Sequence, residues 1–260
     1  MDLGSRRLIL GVLAIVFVAS ATMTIAANVS MSAMGEMPMP GGWRMSHMWM
    51  RRPGQTWSGA SASFVGMWVV MMIAMMMPSL IPTLLCYRES AGRTGASRPA
   101  LSAALVAVGY FVVWSTLGAI VFPLGVVSAR IIMQNTELSR AIPAAVGVTV
   151  LIAGVVQRTA WKARHLERCR DAAEGRLTSA TSLGAALQHG LRLGLHCCQA
   201  CAGLTAAALA LGVMDLRVMA VLMAAITAER LTPARARAAR ATGLVVAASG
   251  LAMVARVSGS

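Results

Sequence analysis

The sequence predicts an all-α fold, a polytopic bundle of about seven membrane-spanning helices, or about six if the first is a cleaved signal peptide. Three observations predict it. Hydrophobic residues make up 57% of the chain and charged residues only 12%, against about 25% charged in soluble domains. Several apolar runs approach or exceed the roughly 20 residues that cross a hydrocarbon core. Between these runs the arginines collect on alternate connections, as they do when one side of a membrane holds the positive loops.

Arg6 and Arg7 precede the first apolar run, Leu8 to Ala27. Ala19-Ser20-Ala21 resembles a signal-peptide cleavage site, but the run continues past it, which favours a retained helix over residues 1–27. Residues 28–62 read as a polar, Met-rich extracytoplasmic loop. It carries Met31, Met34, Met37, Met39, Met45, Met48 and Met50 with Trp43, His47 and Trp49. Pro38, Pro40 and Gly41-Gly42 exclude a long regular helix there. Thioethers are soft ligands for copper(I), and packing is a poor reason to place seven of them in an exposed loop.

The helix bundle proper is expected over 63–260. Its first span runs from Phe64 to Tyr87. Met67, Met71 and Met75 recur at four-residue spacing and share a helix face; Met72 and Met76 form the neighbouring row, and Cys86 ends the span. Pro78 and Pro82 predict a kink. The methionines read either as adaptable packing or as a thioether track through the membrane. Leu101 to Val127 forms the next span, with Tyr110 and Trp114 inside it. A short amphipathic piece, Ser128 to Arg140, precedes a short Ala/Gly-rich span from Ala141 to Val156. Residues 157–192 read as a basic cytoplasmic loop. It contains Arg158, Lys162, Arg164, Arg168, Arg170, Arg176 and Arg192, with His165, Cys169 and His189 between them. Cys169 reads there as an inherited motif residue or a solvent-exposed thiol, with a metal-ligand role as the alternative. The fifth span covers Gly194 to Val213, and Asp215 and Arg217 mark a tight turn. The sixth covers Val218 to Ala228 with its flanks, and the seventh Ala241 to Val254. Glu229 is either a functional acid inside the membrane or the partner of Arg230 in an interfacial ion pair.

With the N-terminus inside, sixteen of the 23 Lys and Arg fall on cytoplasmic segments, which supports N-in, C-out. The formal net charge of +14 would suggest nucleic acid in a soluble protein. Here the basic residues flank spans and no aromatic-interleaved basic motif occurs, so the expected partners are the lipid bilayer and a metal donor or acceptor protein. No Ser-His-Asp set, phosphate-cradling loop or haem-binding Cys-x-x-Cys-His motif points to an enzyme.

The densest chemistry is His196-Cys197-Cys198-Gln199-Ala200-Cys201. Five cysteines do not form a secreted disulfide framework. On a helix, Cys197 and Cys201 share a face while Cys198 points away by about 100°. The pair, with His196 or Cys198 as a third ligand, suits copper(I) at low coordination number; a fourth ligand from Cys86 would suit zinc. The candidate metal ligands are therefore Cys197, Cys198, Cys201, His196, Cys86, Met71, Met75 and Met76. Two other functions compete: an accessory subunit of a membrane redox or metalloenzyme complex, and a structural membrane protein whose cysteines are incidental.

The segment Trp68-Val69-Val70-Met71-Met72-Ile73-Ala74-Met75-Met76-Met77-Pro78 resembles the W-x-x-M-x-x-A-M-M-x-P run of a bacterial family of metal-binding, copper-associated integral membrane proteins. Gly194 to Cys201, Gly212-Val213-Met214-Asp215-Leu216 and Glu229-Arg230-Leu231-Thr232-Pro233 resemble its second signature. Trp161-Lys162 and Cys169-Arg170 are similar to an element between the two. The resemblance covers most of the chain from about residue 60, and implies metal binding in a bacterial inner membrane. The family pattern has Gly-Cys-Cys-Trp followed by Leu-Met. This chain reads Gln199-Ala200-Cys201-Ala202 and Leu204-Thr205, with an extra thiol at Cys198, so no specific ligand set carries over.

Overall fold

A computed structural model describes residues 3–33, 35, 37–51, 54–93, 98–174, 182–212 and 215–259. Met34, Arg176, Val213 and Met214, each singled out above, lie outside the described residues. Among the described residues the fold is all-α: α1 (Leu3–Ala33), α2 (Trp57–Arg93), α3 (Pro99–Gln134), α4 (Thr136–Val156), α5 (Ala160–Glu174), α6 (Leu183–Leu211), α7 (Leu216–Leu231) and α8 (Arg235–Ser258). Six of these, all but α5 and α7, are long and apolar enough to cross a membrane.

Three elements differ from expectation. α3 continues helically through residues 128–134, and only Asn135 separates it from α4. Asn135 caps α4 by accepting from the Leu138 backbone N–H at 3.1 Å, a preferred N-cap role. The segment expected as a basic loop holds α5 and the first turns of α6. α5 forms because Lys162, Leu166 and Cys169 recur at helical spacing and bury together, while the arginines between them stay on the outer face. α7, the expected sixth span, has 16 residues, or about 24 Å at 1.5 Å per residue. Asp215 starts it, accepting from the backbone N–H groups of Arg217 (2.8 Å) and Val218 (3.3 Å).

The methionine-rich connection is an ordered cap rather than an exposed loop. β1 (Met37–Pro38) and β2 (Arg44–Met45) pair antiparallel, and the chain turns between them at Gly41 and Gly42, both at positive φ. A 3-10 turn, His47–Trp49, follows. The Trp43 indole donates to the Ser139 carbonyl (2.9 Å), and the Ser139 hydroxyl donates to the Pro40 carbonyl (3.0 Å). Trp49 lies flat where Gly125 of α3 leaves no side chain. Met45 is buried beneath the cap.

Glycine lets the helices approach closely. α3 and α6 run parallel, with Gly190 against the Val106 backbone and Gly194 against that of Tyr110. α4 and α8 run antiparallel, with Gly147 beside Val254, Gly154 beside Ala247 and Gly250 beside Leu151. Gly118 of α3 admits Trp68 of α2, whose indole donates to the Trp114 carbonyl at 2.9 Å. These contacts set α2, α3, α6 and α7 around one core that includes Trp68, Tyr110, Cys197 and Leu204.

Candidate functional site: a buried thiol centre

Cys197 and Cys201 lie one turn apart on the inner face of α6, with their Sγ atoms 4.0 Å apart. Both are buried, at 0% and 3% relative exposure. Tyr110 of α3 places its hydroxyl 2.9 Å from the Cys197 Sγ. Cys169 of α5 completes the group; it is 2% exposed and interacts directly with Cys197. That interaction first, and burial second, push the Cys169 thiol well above its usual range.

Arg230 of α7 reaches into this group. One terminal nitrogen donates to the Ser79 hydroxyl (2.9 Å), the Tyr110 hydroxyl (3.3 Å) and the Cys197 Sγ (3.4 Å). The other donates to the Cys169 Sγ at 3.6 Å. A guanidinium stays charged in proteins, and among the groups it touches here the thiols are intrinsically the most acidic. The centre thus already accommodates a positive charge beside sulfur.

A second buried network holds the centre in place. The Lys162 ammonium pairs with Glu229 Oε2 at 2.7 Å, with side chains 1% and 2% exposed. Gln157 donates to Glu229 Oε1 at 2.7 Å. Lys162 also donates to the Ala200 carbonyl, between the two α6 cysteines. The partner of Glu229 is therefore Lys162 and not Arg230. Adjacent residues on a helix diverge by about 100°, so Glu229 faces α5 while Arg230 faces the thiols.

The expected ligands divide. Cys197 and Cys201 come together. Cys198 is half-buried and packs against core side chains instead, and His196 lies toward His165 of α5, its Nδ1 without a hydrogen-bond partner. Cys86 is exposed, and lines a cavity of about 190 Å³ together with Cys169 and Arg230. His189 stacks on Tyr87 with ring centroids 5.2 Å apart. Met71, Met75 and Met76 meet Met72 and Met219 around a void of about 10 Å³ between α2, α6 and α7. At the opposite end of the bundle from Cys86, a cavity of about 680 Å³ is lined by Met31, Met45 and Met48 beside Trp43 and Trp49. Cys169, read as a solvent-exposed thiol or, alternatively, a ligand, is buried. Sequence reasoning did not bring Arg230, Tyr110, Ser79 or Met219 to the site. The stripe Lys162, Leu166, Cys169 was the signal that could have found the burial of Cys169.

Among the described residues, no three His, Cys, Asp or Glu side chains are already gathered tightly enough to hold a metal ion. The preassembled unit is a thiol pair. Two metal–sulfur bonds of about 2.3 Å bridge sulfurs 4.0 Å apart at an angle of roughly 120°. That is a trigonal angle, which leaves a third position open for a thiolate such as Cys169.

A family model described as PpoB2, copper chaperone, matches residues 65–253. The chain belongs to this copper chaperone family. The match spans most of α2 to most of α8, and so takes in the thiol centre, the methionine void and the buried ion pair. α1 and the methionine cap lie outside it. Neither the curated proteins nor the solved structures include a match.

Proposed function

We propose that the protein is an integral membrane copper(I) carrier, acting as chaperone or transporter through thioether and thiolate ligands. The observation that carries this reading is a pair of soft-ligand clusters, one of thioethers and one of thiols, facing the interior between α2, α6 and α7. On α2, Met72, Met76, Ser79, Thr83 and Cys86 follow one another at helical spacing. Cys197, Cys201, Leu204 and Ala208 do so on α6, and Met219, Ile226 and Arg230 on α7. Met72 and Met76 line the methionine void with Leu204, Ala208, Met219 and Ile226; Cys197, Arg230 and Ser79 meet at the thiol centre. Copper(I) prefers such soft, low-coordinate sites, whereas zinc favours four ligands.

The membrane reading rests on the six apolar helices and on their outward side chains, such as Ile120 and Leu124 of α3 and Val245 and Leu251 of α8. In this reading α7 is a short seventh crossing. Basic residues put the Cys86 end in the cytoplasm and the methionine cap outside. Thioethers do not form disulfides and tolerate an oxidising exterior, while free thiols persist in reducing cytosol.

The test is elemental analysis of detergent-purified protein made with copper and zinc both available. Wild type and Cys198→Ser carry copper, and Cys197→Ser/Cys201→Ser loses most of it. Undiminished copper in the double variant overturns the reading.

A further inference from the structure

The cavity of about 190 Å³ between α2, α5 and α7 joins the thiol centre to the surface. Cys86 of α2 lines it and is exposed; Cys169 of α5 lines it too and is buried against Cys197. Three arginines, Arg170, Arg230 and Arg235, line the same space, as does Thr83. Four helices, α2, α5, α7 and α8, bring these groups together, so the combination is tertiary and invisible to any local motif.

The two chemistries lining this cavity select one class of ligand. Guanidinium groups recognise carboxylates through paired, charge-assisted hydrogen bonds. Thiols recognise copper(I), and only another soft donor competes with them for it. The volume is below the roughly 300–1,000 Å³ of pockets for drug-sized ligands, and suits a molecule or chain end of about amino-acid size. We propose that this cavity binds a small thiol bearing a carboxylate and exchanges copper(I) with it at Cys86 and Cys169, an inference that rests on the copper-carrier reading above.

The exchange is ligand substitution without redox change. The incoming sulfur forms a bond to copper(I) as a protein Cys–copper bond breaks. The proton given up by the incoming thiol passes to the freed cysteine, and copper stays in the +1 state throughout. The arginines hold the carboxylate and so aim the incoming sulfur toward Cys86 and Cys169.

Two readouts test it. The first needs no metal: alkylation of Cys86, followed by mass spectrometry, with iodoacetate and with iodoacetamide. The ratio of the two rates is expected to exceed that of free cysteine in the same buffer by about fivefold or more, through local positive potential. Arg170→Gln/Arg235→Gln returns the ratio to the free-cysteine value. Arg170→Gln alone, at an exposed site, gives an intermediate value, and Arg168→Gln, outside the cavity, leaves it unchanged. A wild-type ratio equal to that of free cysteine overturns the anion site. The second readout is copper(I) release from loaded protein to mercaptoacetate and to 2-mercaptoethylamine. Mercaptoacetate is expected to be faster by about tenfold, and the advantage disappears in the arginine double variant. Equal rates overturn the exchange role. A chain that takes up no copper(I) overturns the carrier reading instead, and the alkylation ratio still decides whether the cavity selects anions.

Discussion

Glu229 and Arg230 are neighbours in sequence and do different work. Arg230 sits among sulfur atoms and hydroxyls, whereas Glu229 closes a dry ion pair with Lys162. Removing one partner of such a pair strands a charge and costs about 3–5 kcal/mol, while replacing both by apolar groups is often neutral. Lys162→Met is therefore expected to lower the thermal midpoint of purified protein sharply, and Lys162→Met/Glu229→Leu to recover most of the loss. A double variant no more stable than the single one would show that the pair is not an isolated electrostatic unit. At this scale the sequence was partly legible. The Cys197–Cys201 pairing follows from helical period alone. The burial of Cys169 does not, because its partners lie on α6 and α7 and its own segment is rich in arginine.

Helix α3, packed on α6, shows how an element positions a site it does not itself supply with ligands. α3 brings Tyr110 to Cys197 only because Gly190 and Gly194 let the backbones of the two helices touch. A methyl group at Gly190 would strike the Val106 backbone, whereas Gly184, on the same helix, faces open space. Gly190→Ala is expected to destabilise the protein by about 1–3 kcal/mol through overpacking. Gly184→Ala is expected to be neutral or stabilising by up to about 1 kcal/mol. Thermal unfolding in one detergent compares them, and equal midpoints would mean that the close approach is not needed. The apolar helices were legible in sequence because length and hydropathy suffice to find them. α5 was read as a loop because its composition is polar, and its buried stripe is only three residues wide. The boundary between α3 and α4 was misplaced because one Asn, with no Gly or Pro at the junction, makes the break.

Across the whole molecule, the order of contacts puts the two chain ends apart. Leu8 and Ile9 of α1 share a groove with Arg88 and Ala100, at the Cys86 end of the bundle. Val254 of α8 lies beside Gly147 and Ala247 beside Gly154, so α8 runs toward the methionine cap. Reporter fusions at the two termini are expected to report opposite compartments, N-terminus inside. Two reporters active on one side would reject seven crossings. The arginine distribution is the ground for this expected orientation. The folding of the methionine segment into a cap was not legible in sequence, since Trp43 and Trp49 find their partners on α3 and α4, some 76 to 96 positions away.

In the seven-crossing reading proposed above, the brevity of α7 has a consequence for the surrounding lipid. A helix of 16 residues, about 24 Å long, falls roughly 6 Å short of a typical 30 Å hydrocarbon core. Hydrophobic mismatch of this size draws the two leaflets together or admits headgroups and water at the helix end. Arg230 and Arg235 sit at that end. The barrier to an ion in oil shrinks as the oil thins, so in that reading the side of the bundle lined by methionine and cysteine is also where the bilayer would be thinnest.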